Sequence, residues 1–511
     1  MNISGRSKQG FYFDSVTLMR TGREVAALPG VVEASVVMAT EANKSILAMS
    51  DLLLPEFKKS GDQDLLIVVK TKDAKTSSEA LAKAEDMLLR KKKPTAGGAS
   101  AAPAPRDIAS AVAALPSANL AMISVAGRYA AREARKAIDE GLHVMLFSDN
   151  VSIEDEVSLK KAAHKKGLIV MGPDCGTSIL NGVPLAFANV VPRGPIGIVG
   201  ASGTGTQEVS CIIANEGSGV SQAIGTGGRD IKDAVGGITF LDAMQALADD
   251  AETKVILLVA KPPQPGVMKK IYTLIRKIKK PVVSLLIGEG GTPSTLEQAA
   301  LLAVAQAKQL DPTQALERLT HRDKNLKEAA LAIVAKRKKP QGRYLRGLFS
   351  GGTFCAEAQV VLDGILRHVY SNAPLGDSQK LKSAWKPEKN AVIDLGEDEF
   401  TVGRAHPMID FTLRNKMILD EAANSETAVI LLDVVLGYGA NLDPAAELVP
   451  VIKQAAKKVF VVAGVTGTAG DPQGRDSVVA ALQDAGAHVQ LTNAAACKLA
   501  GFIAAEVVRK N

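Results

Sequence analysis

The sequence predicts an α/β protein built of several doubly wound parallel-sheet domains, Rossmann- or flavodoxin-like, preceded by a small N-terminal α+β module. Three observations predict it. Val/Ile-rich runs of strand length alternate with Ala/Leu-rich runs of helical length through most of the 511 residues, the pattern of βαβ units and not of an all-β fold. Strand-like runs end repeatedly in small-residue turns, Gly200-Ala201-Ser202-Gly203, Gly225-Thr226-Gly227-Gly228 and Ser350-Gly351-Gly352-Thr353, and in open α/β sheets the strand C-termini form the ligand edge. An Ala/Gly/Pro-rich stretch, Pro94 to Arg106, reads as a flexible linker that sets the first segment apart.

Taken in order, residues 1–93 form the α+β module. Glu33 to Met38 and Leu65 to Val69 read as strands, Ser15 to Ala26 and Ser77 to Leu89 as helices, and Phe11-Tyr12-Phe13 as the start of another strand. That order fits a ferredoxin-like unit. After the linker, 94–106, residues 107–191 read βαβαβ, with strands at Leu120 to Val125, Val144 to Phe147 and Leu168 to Met171. The intervening helices run from Arg128 to Glu140, closed by Gly141, and from Ser152 to Lys166, opened by a capping serine. Residues 192–335 read as a flavodoxin-like unit with strands ending at Gly200, Gly225, Val259 and Ile287. A basic linker, 336–344, leads to a second such unit, 345–511, with strands at Leu345 to Phe349, Ala391 to Leu395, Ala428 to Leu432 and Val459 to Val465.

Composition narrows the function classes. The formal charge is +7, but much of it sits in the runs Lys91 to Lys93 and Lys336 to Lys339, beside linker material and without interleaved aromatics, which argues against nucleic acid as a partner. The four cysteines form no CxxC pair and the six histidines no HxxxH or HxH, so neither a disulfide framework nor a metal site is expected. No apolar run reaches about 18 residues and Met1 to Arg6 lacks an apolar leader core, so no membrane partner and a cytoplasmic location are expected.

The turn Ser202-Gly203-Thr204 carries the clearest chemistry. A β-branched strand stops at Gly200 and a helix follows, so unpaired N–H groups and about half a positive charge face the turn. Two hydroxyls add donors, and the glycines let an anion approach. A second such turn, Gly351-Gly352-Thr353, is followed by Glu357 much as the first is followed by Glu208, which suggests paired half-sites. Arg229, in Gly227-Gly228-Arg229-Asp230, can clamp a carboxylate in bidentate fashion or pair with Asp230 or Asp233. Arg404 and His406 share a polar turn with Asp410. A histidine there can donate to an oxyanion or transfer a proton, or simply hold a structural hydrogen bond. Lys261, at a strand end, either attracts phosphate or is solvated. Cys355 opens a helix without an evident base, and packing accounts for Cys175.

Residues Ala118 to about Ala305 resemble the α-subunit of succinyl-CoA synthetase through Met171-Gly172-Pro173-Asp174-Cys175, Val199-Gly200-Ala201-Ser202-Gly203-Thr204, Ile224-Gly225-Thr226-Gly227-Gly228-Arg229-Asp230 and Lys280-Pro281-Val282-Val283. Residues from about Ala391 onward resemble the C-terminal domain of the β-subunit through Val392-Ile393-Asp394-Leu395-Gly396 and Leu431 to Gly439. With Ser148-Asp149-Asn150 and Val402 to Asp410 added, the chain as a whole is similar to the FdrA family, which includes AllF-like subunits of oxamate carbamoyltransferase.

The resemblance implies domains of succinyl-CoA synthetase type, with 107–191 as the CoA-binding-type domain and 192–335 as the ligase-type domain. It also implies a phosphate held between two helix N-termini, with Ser202-Gly203-Thr204 and Gly437-Tyr438-Gly439 as their equivalents. Three departures count against thioester formation. The loop Gly288 to Ser294 holds no phosphohistidine, the first 90 residues lack the glycine fingerprint for a CoA nucleotide, and there is neither a Walker A sequence nor room for an ATP-grasp domain. The expected function is therefore a subunit of an oxamate carbamoyltransferase, converting oxalurate and phosphate to oxamate and carbamoyl phosphate in anaerobic allantoin breakdown. It would need no cofactor, with phosphate as substrate, and would work in a homo- or hetero-oligomer with other subunits. An ADP-forming acyl-CoA synthetase-like ligase subunit and a non-catalytic scaffold are the alternatives. The site residues expected are Arg229, Arg404 and His406 for catalysis and Ser202, Gly203, Thr204, Gly227, Gly228, Gly351, Gly352, Thr353, Gly437, Tyr438 and Gly439 for the anion.

Overall fold

The computed structural model describes residues 1–11, 13, 15–40, 43–44, 47–48, 52–89, 105–337, 339–375, 379–401 and 405–510. They form two compact units, one of residues 1–104 with 398–406 and one of 105–397 with 407–511. The expected linker lies mostly, and Arg404 wholly, outside the described residues.

The first unit is an α+β module around an antiparallel sheet of β1 (Asn2–Lys8), β2 (Val31–Met38) and β3 (Leu65–Thr71) in the order β1-β3-β2. β3, Leu-Leu-Ile-Val-Val, is central and buried. Its alternate side chains feed two cores. Ile67 and Val69 meet the helices Ser15–Ala26 and Ala74–Leu89, and Leu66 and Val68 meet Leu47, Leu52 and Phe57. The first strand is Asn2–Lys8, not Phe11 to Phe13; Phe11 and Phe13 lie outside any strand and Tyr12 is among the residues not described. An edge strand pairs on one side only, so its Asn, Ser, Arg and Lys give no apolar alternation to read.

The second unit holds three sheets. β4 (Leu120–Ile123), β5 (His143–Leu146) and β6 (Val170–Met171) form a parallel sheet in chain order. β7 (Thr177–Leu180) and β8 (Val183–Ala186) form a hairpin not anticipated from the sequence, joined by Asn181 and Gly182, both at positive φ. It extends the sheet of β9 (Arg193–Gly200), β10 (Val220–Gly225), β11 (Val255–Ala260) and β12 (Val282–Leu286), in the order β12-β11-β9-β10-β7-β8. β13 (Tyr344–Phe349), β14 (Tyr370–Ser371), β15 (Ala391–Asp394), β16 (Thr427–Val435), β17 (Phe460–Thr466) and β18 (Ala487–Gln490) make the third sheet. Its order is β14-β15-β13-β16-β17-β18, parallel throughout. β11, β16 and β17 are buried along their whole length, hence their unbroken apolar runs.

The helices Gly203–Asn215, Leu296–Ala307, Gly352–Leu366 and Asn493–Lys510 share one core with strands of both large sheets. The chain order within each large sheet reverses once, between β9 and β11 and between β13 and β16. Such reversals open a crevice at the strand C-termini. The strand ends and loops there carry Ser202 and Lys261 in one sheet and Asp433 and Ser350 to Thr353 in the other.

Candidate anion site between two helix starts

The two glycine turns meet. Ser202 Oγ lies 2.5 Å from Thr353 Oγ1, and Ser202 caps its own helix by accepting the Gly205 N–H at 2.9 Å. A side chain at Gly351 would come within 2.6 Å of Thr204, so glycine there lets the two turns press together. The starts of Gly203–Asn215 and Gly352–Leu366 therefore share one location, and their unpaired N–H groups and positive dipole ends add. Ser202, Gly203 and Gly352 keep part of their surface exposed.

Three side chains complete the setting. Lys261 follows β11, and its Nζ is 3.3 Å from where a Cβ on Gly352 would lie; no carboxylate among the described residues pairs with it. Thr177 Oγ1 is buried without a hydrogen-bond partner among the described residues and lies 3.5 Å from the Cβ position of Gly203. Asp394, at the end of β15, is buried, and burial pushes its carboxyl up to about 6 against the pull of Lys261. The second turn is braced from below. Asp433 accepts from Ser350 N at 2.8 Å, Ser350 Oγ at 2.7 Å and Gly351 N at 3.1 Å, and Arg414 Nη1 holds the carboxylate at 2.9 Å.

Beneath the turns lies a buried carboxyl pair. Glu208 accepts from Thr466 Oγ1 and from Asn493 N, and Glu357 accepts from Leu296 N at 2.6 Å and Asn493 Nδ2 at 2.7 Å. Burial pushes Glu208 up to about 8 and Glu357 to about 7. Leu296 opens the helix that follows the histidine-free Gly288 to Ser294 loop.

Of the residues predicted from sequence, Ser202, Gly203, Thr204, Gly351, Gly352 and Thr353 come together. Gly228 borders the first turn, 3.9 Å from Ala201 O for an added Cβ, while Gly227, at φ +81°, is pressed onto Pro173 O. Arg229 donates to Val151 O at 2.8 Å and pairs with Glu156 at 3.0 Å; neither Asp230 nor Asp233 is its partner. Burial holds the His406 imidazole down at about 4, so it is neutral at pH 7.

Gly437-Tyr438-Gly439 corrects the expected pairing. It is a loop bonded to Ala188 and Gln473, and the helix after it starts only at Pro444, capped by Asp443. The partner of Ser202-Gly203-Thr204 is Gly351-Gly352-Thr353. Missed from sequence were Thr177, Asp394 and the brace Asp433–Arg414, which have no local motif. Lys261→Ala is expected to weaken binding of inorganic phosphate roughly ten- to hundredfold by calorimetry, the scale of one charge-assisted hydrogen bond.

Comparison with known proteins matches three stretches of the chain, and the CoA-binding match falls on residues 193–288 and not on the 107–191 that the resemblance implied for such a domain. The model of a CoA-binding domain matches residues 193–288, that of the CoA-ligase family residues 348–503, and that of an AllF, heavy metal-associated domain residues 1–105. Residues 1–105 contain no cysteine and no histidine. Among the described residues no group of three or more His, Cys, Asp or Glu could hold a metal ion. Thiolate and imidazole donors are thus missing from residues 1–105, whose soft donors are methionine thioethers. Among the described residues no helix is long and apolar enough to cross a membrane.

Subunit alpha 1 of the ADP-forming succinate–CoA ligase of Archaeoglobus fulgidus is 29% identical over 180 residues, 34% of this chain and 60% of that subunit. Among solved structures, acetyl-coenzyme A synthetase 1 of Ca. Korarchaeum cryptofilum, in complex with phosphate and ADP, aligns over 77% of this chain and 83% of its own at 15% identity and a TM-score of 0.29. The uncharacterized protein YahF of Escherichia coli (strain K12) is 41% identical over 502 residues, 95% of each chain. Agreement of that extent makes the chain a member of the YahF family, an AllF-type N-terminal domain followed by CoA-binding and CoA-ligase domains.

Proposed function

We propose that the chain is a subunit of a carbamoyltransferase that works between oxalurate and phosphate on one side and oxamate and carbamoyl phosphate on the other. The observation that carries this reading is the meeting of Ser202 and Thr353 at two helix starts, with the Lys261 ammonium beside them. Such a place suits a phosphate dianion: two dipole ends, two hydroxyls and an ammonium act together without any covalent group. Group transfer to phosphate needs two anions held together and the developing charge stabilised, and no phosphoenzyme. The AllF-type N-terminal match and the resemblance to the FdrA family support a place in allantoin breakdown, with further subunits and a cytoplasmic setting completing the proposal. Arg229, half-exposed beside Glu156, remains a candidate for clamping the second anion.

The test is the purified complex with oxalurate and phosphate, followed by release of oxamate and carbamoyl phosphate. Turnover that falls at least a hundredfold in Gly351→Val, with the complex still assembled, is the expected result. A full complex that neither consumes oxalurate nor carbamoylates oxamate overturns the reading. The CoA-binding and CoA-ligase matches favour a second reading, a subunit of an ADP-forming acyl-CoA ligase. Micromolar CoA binding by calorimetry would select it.

A further inference from the structure

Asp394 is placed unlike any other carboxylate near the turns. Asp433 is fully engaged by Ser350, Gly351 and Arg414. Asp394 is fixed by its main chain, its N–H donating to Asn372 Oδ1 at 2.8 Å and its carbonyl accepting from Asn372 Nδ2 at 2.9 Å. Its Oδ1 accepts the Gly396 N–H at 2.8 Å. No donor among the described residues meets Oδ2. That oxygen faces Gly352, where an added Cβ would run into it and would come 3.3 Å from Lys261 Nζ. One carboxylate oxygen therefore looks onto the first residue of a helix, beside an ammonium and next to the Ser202–Thr353 contact.

A bare carboxylate and a phosphate dianion repel each other across such a gap, and one proton between them removes the repulsion. We propose that Asp394 is the proton relay of the anion site. The assignment rests on the carbamoyl-transfer reading. As an oxygen of HPO4²⁻ attacks the carbamoyl carbon of oxalurate, the new C–O bond forms and the C–N bond to the oxamate nitrogen breaks, that nitrogen keeping the electron pair. Asp394, protonated as phosphate binds, gives its proton from Oδ2 to the departing nitrogen, and the hydrogen carried by the phosphate replaces it on Asp394. Charge and atoms balance at −3 on each side, with no other reactant.

The charged groups around Asp394 are Lys261 after β11, Glu397 on its own loop, Asp433 at the end of β16 and the Cys355 thiol on the Gly352–Leu366 helix. Burial is the largest influence on Asp394, and Lys261 opposes it, which leaves both protonation states accessible near neutral pH.

Calorimetry of the full chain with inorganic phosphate, in two buffers of different ionisation enthalpy at pH 7, tests the assignment. The wild type takes up part of a proton on binding phosphate. Asp394→Asn binds with equal or up to tenfold higher affinity and takes up none, while Asp394→Glu, which keeps a carboxyl, restores the uptake. In the complex Asp394→Asn lowers kcat about a hundredfold or more and flattens one limb of the pH profile, on the usual scale of a lost general acid–base group. Unchanged uptake in Asp394→Asn, or no phosphate binding by the wild type, overturns the proposal. Intact uptake without carbamoyl transfer strikes the reaction and leaves Asp394 established as the protonating group beside the anion.

Discussion

Replacing Lys160 with methionine lowers the stability of the larger unit by about 3–5 kcal/mol in urea denaturation. Lys160 is fully buried. Its ammonium lies 2.8 Å from Glu156 Oε1, 2.7 Å from Asp230 Oδ1 and 3.1 Å from Thr226 O. Asp230 also accepts from Phe240 N at 2.8 Å, at the start of the helix Ile238–Asp249, and Glu156 takes Arg229 on its other oxygen. One ammonium thus joins the helix Ile153–Lys165 of the small parallel sheet to the turn after β10. Methionine keeps the bulk and removes the charge, leaving two buried carboxylates face to face. Adding Glu156→Gln and Asp230→Asn to Lys160→Met should recover most of the loss, because the penalty is unpaired charge and not lost packing. A single variant that loses less than about 1 kcal/mol would show that water reaches the cluster.

Glu208→Gln has the opposite sign and depends on pH. The folded state holds Glu208 protonated up to about pH 8, whereas the free carboxyl ionises near 4.5. The folded protein therefore binds more protons between those values. This contribution is fully present below about pH 4.5, is lost as pH rises to about 8 and is flat beyond. The slope is roughly 1.4 kcal/mol per pH unit for a single group. Glutamine imitates the neutral form, its Oε1 accepting from Asn493 N and its Nε2 donating to the Thr466 hydroxyl, so the variant should match the wild type near pH 5 and exceed it increasingly up to pH 8. Glu357, pushed up to about 7, adds a dependence of the same sign over a narrower pH range. Parallel stability curves for wild type and variant from pH 5 to 9 would mean that Glu208 is ionised in the fold.

Much of the fold could be read from the chain because each parallel strand is buried on both faces and the helices between them have their own period. The two stretches not expected differ in why. Asn2–Lys8 is polar because an edge strand buries little, and Thr177–Ala186 was passed over although its Asn181-Gly182 pair is the strongest short hairpin signal. At the site, Ser202-Gly203-Thr204 and Gly351-Gly352-Thr353 were legible because strand, glycine and helix start are consecutive. Their pairing was not, since Thr353 is 151 residues from Ser202 and only packing brings them together. Gly437-Tyr438-Gly439 looked equally promising as a string, but its glycines serve a loop at φ +106° and +77° against Ala188 and Phe187. Arg229 shows the reverse case: its place at the ligand edge was foreseeable, and its capture by Glu156, 73 positions earlier in the chain, was not.

Both helix starts belong to one polypeptide, and that has a bearing on how the protein behaves at low abundance. A seat shared between separate subunits is lost when the protein is dilute or when one gene outruns the other. Here the two halves are tethered, each meeting its partner at an effective concentration that dilution does not change. Every copy carries one turn of each kind in fixed proportion, so phosphate affinity should be the same at nanomolar and micromolar protein, even where assembly with other chains is concentration-dependent.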